Sequence, residues 1–124
     1  MAGWMAAGPA GAVADFDLAE ELNTLHQDPG WAERGRARRT LAQHRGLRVV
    51  LIALRQGKLL RAHHLPGPVT MLMVEGDAVI WAEARAFRMR VGRLVSLEPK
   101  VEHQVEAIND CGLLVTIGPR RNDG

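Results

Sequence analysis

Val69-Thr70-Met71-Leu72-Met73-Val74-Glu75-Gly76-Asp77-Ala78-Val79-Ile80-Trp81-Ala82 reads as two short apolar runs joined by a turn. The runs are rich in branched and bulky side chains, which pack well on a pleated surface, and both are too short for an ordinary helix. Glu75-Gly76-Asp77 supplies the turn, because glycine reaches positive φ without steric cost and aspartate bonds its own backbone. Toward the C-terminus, Phe87, Met89 and Val91 alternate with Arg88 and Arg90, the pattern of a strand with one buried and one wet face. Gly92-Arg93 turns the chain. A strand over Leu94–Leu97, a loop at Glu98-Pro99-Lys100, a strand over Val101–Ile108, a turn at Asn109-Asp110 and a last strand over Cys111–Ile117 follow.

Toward the N-terminus, Lys58–His64 reads as a strand, with the two-proline loop Leu65-Pro66-Gly67-Pro68 after it and the turn Gln56-Gly57 before it. Leu47-Arg48-Val49-Val50-Leu51-Ile52-Ala53-Leu54 is nearly continuous in branched aliphatics, as expected of a strand buried on both faces, inside a dimer sheet for example. Turn signals recur roughly every eight to twelve residues, which favours an antiparallel barrel or sandwich over alternating strands and helices. The expected fold class is therefore all-β, a barrel or jelly roll, with a short helical segment ahead of it.

That helical segment spans 15–39. Leu18, Leu22 and Leu25 recur at helical spacing, and Asp17 with Glu20 has the spacing of a capping-box start. Gln27-Asp28-Pro29-Gly30 stops the helix, and a second turn around Trp31–Arg38 is weakened by Gly35. The expected division is a flexible tail over 1–14, the helical segment over 15–39, the barrel over 40–119 and a tail over 120–124. The helical residues are expected outside the barrel or across a dimer.

The chain has 124 residues, enough for one domain with its own core and too few for two ordinary ones. Hydrophobic residues at 47% and charged residues at 24% match a globular protein rather than a disordered one, and no apolar run is long enough to span a bilayer. The first nine residues lack the basic start and sustained apolar core of a signal peptide, and the single cysteine, Cys111, excludes an intrachain disulfide. A cytoplasmic protein with a buried, inert thiol is expected. Cations are nearly all arginine, with Arg34, Arg36, Arg38, Arg39, Arg45 and Arg48 close together. No aromatic residues interleave with them to stack bases, so a solvated face is favoured over a nucleic-acid contact.

Residues from about Thr40 to Pro119 resemble a small single-domain bacterial cupin of the RmlC-like superfamily. In such proteins a glycine, five residues and His-x-His are followed by a glutamate and a closing glycine. Gly57, His63 and Gly76 match that pattern, and the second motif is met loosely by Gly92, Pro99, His103 and Asn109. Two departures stand out. His63 and His64 are adjacent, so on a regular strand only one can enter the barrel. Val69 stands where the glutamate would fall, replacing a metal ligand with an apolar group.

The resemblance implies a metal site at His63, His64 and His103, with one weakly held divalent ion (Fe, Mn, Ni or Zn) completed by water. It also implies a ligand pocket lined by Val69, Met71, Met73, Trp81 and Val105. The missing glutamate favours a homodimeric module that binds a small, largely apolar molecule in its barrel. The alternative is a metal-dependent enzyme of dioxygenase or isomerase type that uses His63 or His64 with His103. A third reading makes the arginine-rich segment a nucleic-acid contact. Phosphate-binding loops, nucleophile elbows and Cys-x-x-Cys pairs are absent from the sequence, which leaves nucleotide hydrolysis and acyl transfer without support.

Overall fold

The computed structural model describes residues 12–62 and 65–120. Two helices, α1 (Leu18–Leu25) and α2 (Pro29–Arg34), precede nine strands. These are β1 (Arg36–His44), β2 (Leu47–Leu54), β3 (Leu59–Ala62), β4 (Val69–Glu75), β5 (Ala78–Ala82), β6 (Arg85–Met89), β7 (Leu94–Leu97), β8 (His103–Ala107) and β9 (Cys111–Ile117). A five-stranded sheet runs β1-β2-β9-β4-β7 and a four-stranded sheet runs β3-β8-β5-β6, both antiparallel. Only β1–β2 and β5–β6 are hairpins within a sheet; every other connection crosses from one sheet to the other. This is a jelly-roll architecture.

Period-two alternation sets the interior. Val69, Met71 and Met73 of β4 are at most 2% exposed, while the residues between them are half-buried. Ala78, Ile80 and Ala82 of β5, Val105 and Ala107 of β8, and Cys111, Leu113 and Val115 of β9 belong to the same cluster. A second cluster joins Leu22 and Leu25 of α1 to Ala37, Leu41, Leu51 and Ala53, on the outer face of the first sheet. The helices therefore account for the near-continuous apolar run of β2. Val50 and Leu54 face one way and Leu51 and Ala53 the other, and a single chain covers both faces.

Asp17 caps α1, accepting from the backbone amides of Ala19 and Glu20 at 3.0 and 3.3 Å. The stretch Gln27–Gly30 does more than stop α1. Asp28 caps α2 by accepting from Gly30 N at 2.7 Å, and Pro29 occupies the first turn, where no amide hydrogen is needed. Gly35, at φ 72°, ends α2 in the left-handed conformation. β1 then begins at Arg36, four residues before the expected boundary at Thr40, so 36–39 is strand rather than helix. The second turn of helix expected around Trp31–Arg38 ends at Arg34 for the same reason.

β8 starts at His103 rather than Val101. Lys100 has φ 69° and its amide donates to Leu65 O at 2.9 Å, holding the preceding residues in a turn. Val91 lies beyond the end of β6 and is exposed, outside the expected alternation. The strand expected to reach His64 is described to Ala62. His63, His64 and the outer parts of both expected tails, 1–11 and 121–124, lie outside the described residues.

Candidate functional site

His103 is the first residue of β8, on the inner face with Val105 and Ala107, and is only 6% exposed. It is the one buried residue with a polar or charged side chain among the described residues. Its register partners are Ala62 on β3 and Ala82 on β5. Nδ1 lies 3.1 Å from the carbonyl oxygen of Val101. A carbonyl only accepts, so Nδ1 carries the hydrogen, and in the neutral ring Nε2 keeps its lone pair. Nε2 is buried and has no hydrogen-bond partner among the described residues. Such an orphan is costly, roughly 1–3 kcal/mol, unless something else meets it.

The surroundings of His103 are apolar. Val69, at the place of the missing glutamate, is 2% exposed, and its register partners are Leu97 and Ile117. Val69, Met71, Met73 and Val105 lie in the same core cluster, as the sequence pattern expects of interior residues. Trp81 departs from its expected place with them. Ala78, Ile80 and Ala82 take the inner positions of β5, so Trp81 must face out, and it is 45% exposed. It lines an open groove of about 720 Å³ together with Arg61, Glu83, Lys100, Glu102 and Gln104, and the buried Ala82 and His103 border the same groove. Arg61 and Trp81 are both register partners of Gln104.

No group of three potential metal-binding side chains occurs among the described residues. His103 has the chemistry of one ligand, with the distal ring nitrogen free and the other anchored on a backbone carbonyl. Any further imidazoles would have to come from His63 and His64, outside the described residues. The described side chains alone do not form a metal site. His26 caps the end of α1 and packs on Trp31 with ring centroids 4.6 Å apart, and His44 is exposed at the end of β1. Cys111 is 1% exposed, and burial, with lesser help from the nearby carboxylates of Asp110, Glu75 and Asp77, pushes its thiol up to about 12. It is not a nucleophile at neutral pH.

The arginine run divides by strand period. Arg39 donates to Glu21 of α1 at 2.5 Å, and Arg48 reaches Thr40 at 3.5 Å. Arg34, Arg36 and Arg38 line a separate cleft of about 440 Å³ with Asp28, Ile52 and Leu60. The arginine run in the sequence does not by itself show this grouping. The signal was present in the alternation Arg36-Ala37-Arg38, once 36–39 is read as strand.

The fold is that of the RmlC-like cupins. No family model matches the chain, and no curated protein matches its sequence. Similar solved structures include a cupin superfamily protein from Desulfitobacterium hafniense DCB-2, at TM-score 0.67 and 16% identity over 70% of this chain and 80% of that one. KdgF from Halomonas sp. is similar at TM-score 0.66 and 22% identity, covering 73% of this chain and 84% of that one. Salicylate 1,2-dioxygenase from Pseudoaminobacter salicylatoxidans is similar at TM-score 0.74 and 13% identity over 83% of this chain, which spans only 32% of the dioxygenase. No helix among the described residues is long and apolar enough to cross a membrane.

Proposed function

We propose that this cupin-fold protein binds a small, largely apolar molecule between its two sheets and that His103 Nε2 accepts a hydrogen bond from the molecule's one polar group. The buried Nε2, which has no partner among the described residues, carries this reading: an acceptor held in an apolar interior is met by whatever enters. The inner face of the second sheet supplies small side chains, Ala78, Ala82 and Ala107, and the facing strand supplies Met71 and Met73. Methionine has three rotatable bonds and can repack to make room. The test is titration with p-cresol and with toluene, followed by NMR of the methionine methyl groups. Saturable shifts at Met71 and Met73 with p-cresol, weaker with toluene and lost in His103→Phe, are expected; shifts at exposed sites alone would defeat the reading.

The same Nε2 supports the second reading, a metal-dependent enzyme. An imidazole anchored through Nδ1 on a carbonyl is poised to ligate, and His63 and His64 would complete the set with water or substrate. A bound divalent ion would act there as a Lewis acid. Elemental analysis separates the readings. One equivalent of iron, manganese, nickel or zinc per chain, lost in His103→Ala, favours the enzyme, whereas folded, metal-free protein that still binds p-cresol favours the module. A homodimer formed through the first strands belongs to both readings, and light scattering tests it.

A further inference from the structure

The strongest unassigned feature is a cleft lined by residues of both sheets and of α2. β1 is the edge strand of the first sheet and β3 the edge strand of the second. Along β1, Ala37 is buried toward the helices, so Arg36 and Arg38 take the opposite face. In the β1–β2 register Arg36 lies across from Leu54 and Arg38 across from Ile52. Ile52 and Leu60 pack against the interior cluster and give the cleft an apolar floor. Arg34 and Asp28 close the end nearest α2.

Charge in the cleft is poorly balanced. Asp28 already accepts from Gly30 N as the cap of α2, and the Arg34–Glu33 pair spans 3.9 Å with both side chains mostly exposed, a geometry that contributes little. Among the described residues, neither Arg36 nor Arg38 has a carboxylate within ion-pair distance. Nearby, Arg55 is fixed against the ring of Trp31 and the carbonyl of Ala32, adding a further cation to this end of the molecule. Arg39, one residue along the same strand, shows the contrast: it turns to the other face and is met by Glu21.

We propose that this cleft is a binding site for a small organic anion, with a carboxylate or phosphate head on Arg36 and Arg38 and an apolar body on Ile52 and Leu60. Guanidinium groups hold such heads bidentately, and a cleft of about 440 Å³ is within the usual range for small-molecule sites. The cleft backs onto the interior without including His103: Leu60 is paired with Val105, two residues along β3 from the rung of His103.

The test is calorimetric titration of the full chain with hexanoate and with hexyl phosphate, against hexanamide as the uncharged counterpart. The anions are expected to bind, hexanamide at least tenfold more weakly, and affinity is expected to fall as salt rises. Arg36→Gln with Arg38→Gln is expected to weaken the anions tenfold or more, while Arg36→Lys with Arg38→Lys, which keeps charge but not the fork, gives an intermediate loss. Arg39→Gln and His103→Phe are expected to leave anion binding unchanged, the latter separating this site from the interior one. Whichever of hexanoate and hexyl phosphate binds more tightly identifies the head group. Equal binding of hexanamide, unchanged affinity in the folded double Gln variant, or a light-scattering dimer in which Arg36 and Arg38 become inaccessible to the probes would each overturn the proposal. So would tighter binding of a short DNA duplex through the same two arginines.

Discussion

His103 is where a strand period, a turn and a side-chain chemistry meet. The turn at Lys100 delivers the chain into β8 so that His103 is the first inward residue, and Val101 O takes the Nδ1 hydrogen. Because Nε2 has no partner among the described residues and costs stability where nothing meets it, His103→Leu is expected to leave the melting temperature unchanged or raise it, while abolishing p-cresol binding. A drop of several degrees would mean that the ring's hydrogen bonds in the folded chain outweigh the cost of burying Nε2. Cys111 gives a second residue-level outcome. Its thiol is pushed up from the ordinary 9.0 to about 12 in the fold, so the unfolded chain releases the proton first. The contribution is fully present below pH 9.0 and is lost as pH rises toward about 12, at up to about 1.4 kcal/mol per pH unit. Alkylation by iodoacetamide at pH 8 should require unfolding, and ready labelling of native protein would contradict the buried placement. The histidine and the cysteine were both legible in sequence, since each sits in a strand pattern with only one sensible direction. Trp81 was harder: the alternation showed that it opposes Ile80, but not which of the two faces was interior.

Among the elements, α1 and β2 show how a local reading can fix a strand and miss its setting. The apolar run Leu47–Leu54 announced burial on both faces, and the cover comes from Leu22 and Leu25 rather than from a second chain. Leu22→Ala is expected to cost about 2–5 kcal/mol, and Asp17→Ala about 1 kcal/mol, read from denaturant midpoints. If Leu22→Ala cost less than 1 kcal/mol, α1 would not be the cover of β2. The fit is close at Gly112 of β9, where an added Cβ would come within 2.7 Å of the Leu22 side chain. Gly112→Ala should therefore loosen α1. Gly76 is constrained differently: at φ 73°, a Cβ there would also collide with the backbone carbonyl of Asp110. The closing glycine of the motif is thus explained by the β4–β5 turn and needs no ligand.

For the whole molecule, the rhythm of turns was enough to anticipate an antiparallel barrel or jelly roll, because strand length and alternation are local. Which sheet edges face each other is not local. The cleft of Arg34, Arg36 and Arg38 is completed by Ile52 of β2 and Leu60 of β3, an edge strand of the other sheet, and a charge run in sequence cannot show that. The same limit applied to the groove at Trp81, which Gln104 and Arg61 complete from two other strands. The two openings lie at different places on the sandwich, and the interior ligand is proposed at His103, which borders the groove at Trp81. The most direct measurement of that claim is a long-range ¹H–¹⁵N correlation spectrum of histidine-labelled protein, recorded through a p-cresol titration. The account predicts a His103 ring protonated at Nδ1, with an Nε2 resonance of lone-pair type that moves saturably as p-cresol binds. A ring protonated at Nε2, or an Nε2 signal that does not move while p-cresol binds elsewhere, would contradict it.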